Sequence, residues 1–472
     1  MKKNIIILPL IISIILFILS LQLKFSIHNF DSSKVVKNIK SFSSSKYQGR
    51  LAGTLENDQV ALTLKGFLEQ EKLKPFKGNF YDGFTTDVPN RIEGNPFLTV
   101  TDSLGNVIKE FEYGIDYKED MLNFKTNSIT FNKTDEIALK DSNLQAGKNS
   151  KYYLFYVPHN NTFAFRSSFI NDSVHDMYIM ITDKTLADLK EYITEGYNVN
   201  CFVPFDVENK KLNNVAGFIQ GVDPLAPPIV ISSHFDHVGT DLQGNTYGGA
   251  LDNASGTAFV MELIKYLKSI GKPERNILFI FFNAEELGCK GSTHFATEYS
   301  DYLKESKILN IDMIGSNNNL PLSIMGGKKD TIDTPLVKEL SLLCSKNNIR
   351  YSNLFEDSSD HEAFRDLNID AVTFCDYDIT KIHTPNDKVD YINTKSIDTC
   401  FKVVASELIT YAYGDNYFLI HNNNILRYSC ISSIILSLIF LGFLFMKSEK
   451  KVNQNLASFL KINKSKNNFY SK

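Results

Sequence analysis

The chain has 472 residues, enough for a large core and a second module. A formal charge of −4 is near neutral for that length, and with no long basic run nucleic acid is not an expected partner. Of six cysteines, Cys430 falls in an apolar segment; the other five are an odd number with no C-x-x-C, so no disulfide framework is expected and at most one bridge, for instance Cys375 to Cys400.

The first element is apolar. "IIILPLIISIILFILSLQL" (Ile5–Leu23) follows Lys2 and Lys3, and a similar stretch, "YSCISSIILSLIFLGFLFM" (Tyr428–Met446), precedes Lys447, Lys450 and Lys451. Each is close to the roughly 20 residues a helix needs to cross hydrocarbon, and neither carries a polar face. Two transmembrane helices are therefore expected, over residues 4–23 and 426–446. The first has no small-x-small cleavage site and reads as an uncleaved signal anchor. The lysines after the second place the tail in the cytoplasm. Two spans put both termini on that side and everything between them outside. The Lys/Asn/Ser-rich tail, 447–472, is expected to be disordered.

Residues 30–75 read as helical. "SSKVVKNIKSFSS" starts on cap-type serines, "QGRLAGT" is a turn, and "ENDQVALTLKGFLEQEKLKPF" reads as an amphipathic helix through Val60, Leu62, Leu64, Phe67 and Leu68. Residues 76–205 differ: Gly, Asn and Asp turns separate short runs such as "PFLTVTD", "SITFN", "YYLFYVP" and "MYIMITD", the pattern of a β-rich inserted module. From 206 to 416 strands alternate with helices. "PPIVISS", "NILFIFFN", "KILNIDMIG", "PLSIMGG" and "DAVTFCD" are strand-like, and "NASGTAFVMELIKYLKSIG" is an amphipathic helix ending on Gly271. Further helices are expected near 334–347 and 361–367. This alternation predicts an α/β fold with a mostly parallel central sheet and helices on both faces.

In such sheets ligands gather beyond the carboxyl ends of the strands. There stand His234 and Asp236, then Glu285 and Glu286, then Asp312. Asp252 lies on the Gly-rich loop "YGGALDNASG", and His383 in the turn "KIHTPND". Taken singly, each has an ordinary explanation: a helix cap, a solvated first turn or a polar strand end. Taken together, imidazoles and carboxylates presented to one sheet edge suit a borderline divalent ion such as zinc. Without a cation that many acids would repel one another and lose solvation. A pair of ions sharing one bridging carboxylate would use five ligands and leave one acid over. The motif "HFDH" does not fit the H-x-H-x-D-H of metallo-β-lactamase-type hydrolases, because Ser232 stands where that pattern needs histidine.

The order H-x-D, G-A-x-D-N-x-S-G, N-A-E-E-x-G-x-x-G-S, I-D-M-I-G and H-T-P-x-D resembles the co-catalytic di-zinc exopeptidases of metallopeptidase family 28. "YQGRLAGT" and "SSDHEAF" resemble segments of the same family, so the likeness covers roughly 35–75 and 212–412. It implies a zinc-exopeptidase (phosphorylase/hydrolase-like) fold and two Zn2+ ions. Asp252 would bridge them, with His234 and Asp312 completing one position and Glu286 and His383 the other. Glu285 would be the general base, and Asp236 the carboxylate that orients the ligand histidine. Asp360 and His361 either shape the substrate pocket or cap the helix that follows. His237 is not expected to be a ligand, and His28, His159, His175, His294 and His421 have no motif around them. Residues 76–205 occupy the place of the family's protease-associated module. The resemblance implies a membrane-anchored exopeptidase acting on peptides, most simply an aminopeptidase. A carboxypeptidase, a glutaminyl cyclase and a receptor-like binding protein are the alternatives on the same scaffold.

Overall fold

Ile229–His234 and Ile277–Phe282 are buried at every position. Successive strand residues face opposite sides, so both faces of their sheet are covered. In the computed structural model, which describes residues 2–159, 162–165, 173–414 and 423–467, the two strands lie at the centre of a nine-stranded sheet. Four neighbours are parallel. Ile277–Phe282, Ile229–His234, Lys307–Ile311 and Asp370–Cys375 lie side by side, with His234 opposite Phe282 and Ile311 opposite Phe374. Their carboxyl ends therefore open on one edge.

The flanks run differently. Phe205–Ile219 is antiparallel to Ile277–Phe282 on one side, and Leu322–Gly326 is antiparallel to Asp370–Cys375 on the other. The sheet is thus mixed, with a parallel centre, where a mostly parallel one is expected from the sequence. Apolar periodicity marks a strand without giving its direction, and here a long excursion returns beside its own start. Tyr81–Arg91 pairs with Phe205–Ile219 in antiparallel register over eleven residue pairs, from Arg91 opposite Phe205 to Tyr81 opposite Val215.

Helices follow their start signals. Thr54 accepts the Asn57 amide at the head of Leu55–Gln70, and Asp31 accepts that of Ser33 before Ser32–Phe42. Ser255–Ile270 is buried along most of its length and ends at Gly271, whose φ of 118° suits a residue without a Cβ. Pro335–Lys346 begins on proline, and His361–Arg365 is a short helix.

Between Arg91 and Phe205 the chain builds two further sheets. One has five strands, in the order Tyr117–Phe124, Met177–Ile181, Lys151–Tyr156, Asn143–Lys148 and Glu136–Leu139. The other has four: Val107–Glu110, Phe97–Thr101, Asn198–Phe202 and Ser128–Phe131. With the helix Asp183–Glu195 they enclose a core of Leu98, Phe131, Leu144, Phe155, Met180, Leu189 and Val199. All six cysteines are free, Cys375 and Cys400 included.

Phe30–Tyr413 forms one compact unit; Met1–Asn29 with Gly414–Lys472 forms another. In the second, the helix Lys2–Ser26 meets the helix Asn423–Asn467, with Ser13 Oγ 2.6 Å and 2.8 Å from the hydroxyls of Ser432 and Ser433. Two spans are expected from the sequence. Among the described residues one helix, Arg427–Leu460, is long and apolar enough to cross a membrane, and Leu8–Leu19 is a shorter apolar helix. The tail beyond Lys447, expected to be disordered, continues the helix to Asn467. Extending a helix already formed adds a hydrogen bond per residue with no new nucleation. Residues 468–472 of that tail lie outside the described residues.

Candidate metal centre

His234 is the last residue of its strand and is fully buried, with its carbonyl held by Thr257 Oγ1 at 2.9 Å. Two residues on, Asp236 accepts the amides of Glu285 (3.1 Å) and Glu286 (3.2 Å). That clamp turns the chain after Ile277–Phe282, where Ala284 sits at φ 60°, and aims both glutamates inward. Asp236 also faces His234 Nδ1, at 3.7 Å. Its stronger contacts are thus to the Glu285–Glu286 backbone.

Asp252 sits on the loop that enters Ser255–Ile270. Asp387 accepts the amides of Leu251 (2.8 Å) and Asp252 (3.0 Å). From beneath, the buried Arg50 donates to the carbonyls of Phe235 (2.7 Å), Gly248 (2.6 Å), Gly249 (2.7 Å) and Asp252 (3.1 Å). This is what the arginine of "YQGRLAGT" does. Asn253 ties the loop to the next strand end through Ile311 O (2.9 Å) and the Met313 amide (3.2 Å). Asp312 follows that strand, and Ser359 donates to its Oδ2 at 2.7 Å.

These supports bring six side chains to one place. His234 Nε2 lies 3.3 Å from Asp312 Oδ1, 3.4 Å from Asp252 Oδ1 and 3.9 Å from Glu285 Oε2. His383 Nε2 lies 3.1 Å from Asp252 Oδ2 and 3.0 Å from Glu286 Oε2. Asp252 therefore turns one oxygen to each imidazole. The donor atoms fall into two groups, one of His234, Glu285 and Asp312, the other of His237, Asp252, Glu286 and His383. His237, set aside in the sequence reading, is in contact: its Nδ1 is 2.7 Å from Glu286 Oε1.

In two of the acids the hydrogen bonding separates the two oxygens. Glu286 Oε1 faces His237 and Asp312 Oδ2 takes Ser359. Glu286 Oε2, Asp312 Oδ1, Asp252 Oδ2 and His234 Nε2 are buried with no hydrogen-bond partner among the described residues. Such orphans are costly and rare in folded proteins, and these converge. A donor set of imidazole and carboxylate atoms with converging unpaired lone pairs fits a pair of zinc-like ions.

The electrostatics agree. Burial raises Glu285 well above the usual carboxylate range, helped by Glu286, Asp312 and Asp360. Burial and Asp252 push Glu286 up, but His383 and His237 outweigh them and hold it near 2. Burial works against charge on His234 and is overcome by Glu285 and Asp312, which raise it well above the ordinary histidine value. Asp360 is fully buried, and burial pushes its carboxyl up to about 7 against the pull of His234 and Ser292. It makes no side-chain cap bond to the helix that follows it. His361 is committed to Thr373 Oγ1 (2.8 Å) and the Glu356 carbonyl (2.9 Å), inside the core.

Residues 214–408 match the family described as Peptidase family M28. That match spans 195 of the 472 residues. Aminopeptidase YwaD of Bacillus subtilis is 30% identical over 220 residues, 43% of this chain and 44% of that protein. The vacuolar membrane protease of Kluyveromyces lactis is 29% identical over 171 residues, 33% of this chain and 18% of that protein. The chain thus spans less than half the length of these two relatives. Among solved structures, the aminopeptidase from Aneurinibacillus sp. strain AM-1 shares the fold at a TM-score of 0.58 and 19% identity, over 81% of this chain and 94% of its own. A zinc aminopeptidase from Bacillus subtilis does so at 0.58 and 18%, over 82% and 97%. The likeness of fold to these two structures thus reaches beyond residues 214–408.

Sequence reasoning passes over His237, Asp387 and Ser359. Their contacts run to Glu286, Leu251, Asp252 and Asp312, between 47 and 136 residues away. The last letter of H-T-P-x-D gives a signal for Asp387, and Ser359 lies inside "SSDHEAF"; nothing local marks His237 as a contact of Glu286.

Proposed function

We propose that this chain is a membrane-anchored, zinc-dependent exopeptidase, most simply an aminopeptidase. The observation that carries this is Asp252 turning one oxygen to each of two donor groups whose unpaired atoms converge. In this reading two Zn2+ ions are held by His234, Asp252 and Asp312 on one side and by Asp252, Glu286 and His383 on the other. When bound they would polarise a peptide carbonyl and acidify a water.

The chain's own residues supply the rest. Glu285 reaches the same centre, keeps part of its side chain accessible, and is the acid left over once the ligands are assigned. It takes a proton from the attacking water and returns it to the leaving amine. Ligand and base are held in step by Asp236, which grips the Glu285 and Glu286 amides beside His234.

The remaining assignments belong to the same proposal. Residues 4–23 and 426–446 would span a membrane, with 30–75 and 206–416 forming the peptidase, 76–205 the inserted module, and both termini cytoplasmic. Support comes from the apolar helix Arg427–Leu460 and from a relative named as a vacuolar membrane protease.

The test uses the full chain in detergent, zinc-loaded, with peptides bearing free or acetylated ends, and products followed by mass spectrometry. Loss of single N-terminal residues, abolished by acetylation, by chelator and by Glu285→Gln, is the expected result. Loss from the C-terminus would move the chain to carboxypeptidases, and loss of ammonia from N-terminal glutamine to cyclases. No product from folded, metal-loaded protein would overturn the enzyme reading.

A further inference from the structure

What holds His383 lies outside the segment that carries the other metal-centre residues. Its Nδ1 is 3.1 Å from the carbonyl oxygen of Phe165, and its own carbonyl accepts the Phe165 amide at 3.3 Å. Phe165 belongs to the β-rich module, in the chain between Lys151–Tyr156 and Met177–Ile181. It is 3% exposed. Its ring stacks on Tyr247, with centroids 4.8 Å apart and planes at 18°. Lys118, on the module's strand Tyr117–Phe124, places its Nζ 4.6 Å from the Phe165 ring centre. The same ammonium pairs with Asp241 at 2.8 Å and contacts the Tyr247 hydroxyl. Asp241 and Tyr247 lie in the loop that runs from His237 to Asp252. A buried cation thus joins the module to the loop that carries a ligand, and the aromatic pair between them fixes one backbone carbonyl against another ligand.

We propose that the module is a positioning element of the metal centre: the Phe165 carbonyl sets the tautomer and ring angle of His383, and Lys118 with Asp241 keeps it there. A ligating histidine that donates its second N–H to a carbonyl presents the opposite nitrogen in a fixed direction, and losing such a partner typically weakens metal binding 10–100-fold. Here Nδ1–H toward Phe165 leaves Nε2 facing Asp252 and Glu286. The other position draws its support from the peptidase segment, through Ser359 on Asp312 and Asp236 opposite His234. The two positions therefore respond to different parts of the chain. This rests on the two-ion reading above.

The experiment follows zinc retained per chain as a chelator is titrated into the full-length protein in detergent. Circular dichroism and melting of the metal-free forms run alongside. Wild type releases two ions. In Phe165→Ala one ion leaves at about 10–100-fold lower chelator and the other is unmoved; Phe165→Leu, which keeps an apolar anchor, shifts it only a few-fold. Lys118→Met moves the same ion and serves where Phe165→Ala melts below wild type. Ser359→Ala weakens the other ion, so the double variant with Phe165→Ala weakens both. Equal weakening of both ions in Phe165→Ala, or of neither, overturns the inference. A wild type holding a single ion overturns the two-ion reading; that ion being unmoved by Phe165→Ala would overturn this inference as well.

Discussion

Two buried charge clusters lie close together in this molecule and differ in kind. Around Lys118 the charges match one another: the ammonium meets Asp241, whose oxygens also take the Gln243 and Asn245 amides and Asn245 Nδ2. Glu119 accepts the Tyr113 hydroxyl at 2.5 Å, and among the described residues its Oε1 is left without a hydrogen-bond partner. At the sheet edge the acids outnumber the bases, and their unpaired atoms point at one another's centre. Burial of charge is common to both. What separates a site from a structural network is the direction of the unsatisfied lone pairs. The first cluster closes on itself, and the second leaves converging lone pairs that a cation would satisfy.

Replacing the acid that no ligand set needs should have the largest effect. Glu285→Gln is expected to lower kcat by about 10²–10⁴-fold while zinc per chain, measured by elemental analysis, stays at the wild-type value. Parallel loss of zinc would make Glu285 a ligand rather than a base. Metal itself should distinguish the clusters next. Zinc at about 1,000 times its dissociation constant should stabilise metal-free protein by about 4 kcal/mol, seen as a higher Tm. Asp252→Ala should abolish that response and Lys118→Met should leave a response in place. A wild type indifferent to zinc would put both clusters in the same class.

The closed cluster should reveal itself by pH instead. Burial pushes Glu119 up to about 7 from an ordinary 4.5. The folded module then holds a proton that the unfolded chain has already released between those values. That stabilisation is complete below about pH 4.5 and is lost as pH rises through 7, an effect on the order of 3 kcal/mol. Denaturant melts from pH 4.5 to 8 should show the decline, and Glu119→Gln should flatten it. A wild type with no slope in that window would mean Glu119 stays charged in the fold. The smallest effect belongs to His237. His237→Ala removes the donor to Glu286 Oε1 and should weaken one ion by about 10–100-fold, read by chelator competition. Loss of both ions together would instead indicate collapse of the Asp252 loop.

The metal-centre candidates were legible because strand ends are. Apolar runs such as "NILFIFFN" announce a buried strand, and the residue that follows must sit at its carboxyl edge. The order of short motifs then joined three such edges to the loop of Asp252 and the turn of His383. Helix starts are legible only to within a residue or so: the serines of "SSKVVKNIKSFSS" mark the first helix, but its cap is Asp31, just before them. The rest depends on contacts that leave no local trace. His237 looks like a neighbour of H-x-D until Glu286 is folded against it. Phe165 contributes a carbonyl, which every residue has, so no residue type could mark it. The antiparallel flanks were hidden because alternation of apolar residues is the same read in either direction.

The long pairing of Tyr81–Arg91 with Phe205–Ile219 makes the β-rich module a graft on a hairpin. Its entry and exit leave the central sheet side by side, and Ile92 still bonds to Pro204 just beyond the last paired residues. Such a junction could be closed by a tight turn without disturbing the register of any central strand. A trimmed chain would keep its scaffold and exchange one module for another at a single seam. It would also lose the backbone carbonyl that meets His383, so under the positioning role proposed above a seam neutral for the sheet would not be neutral for the metal centre.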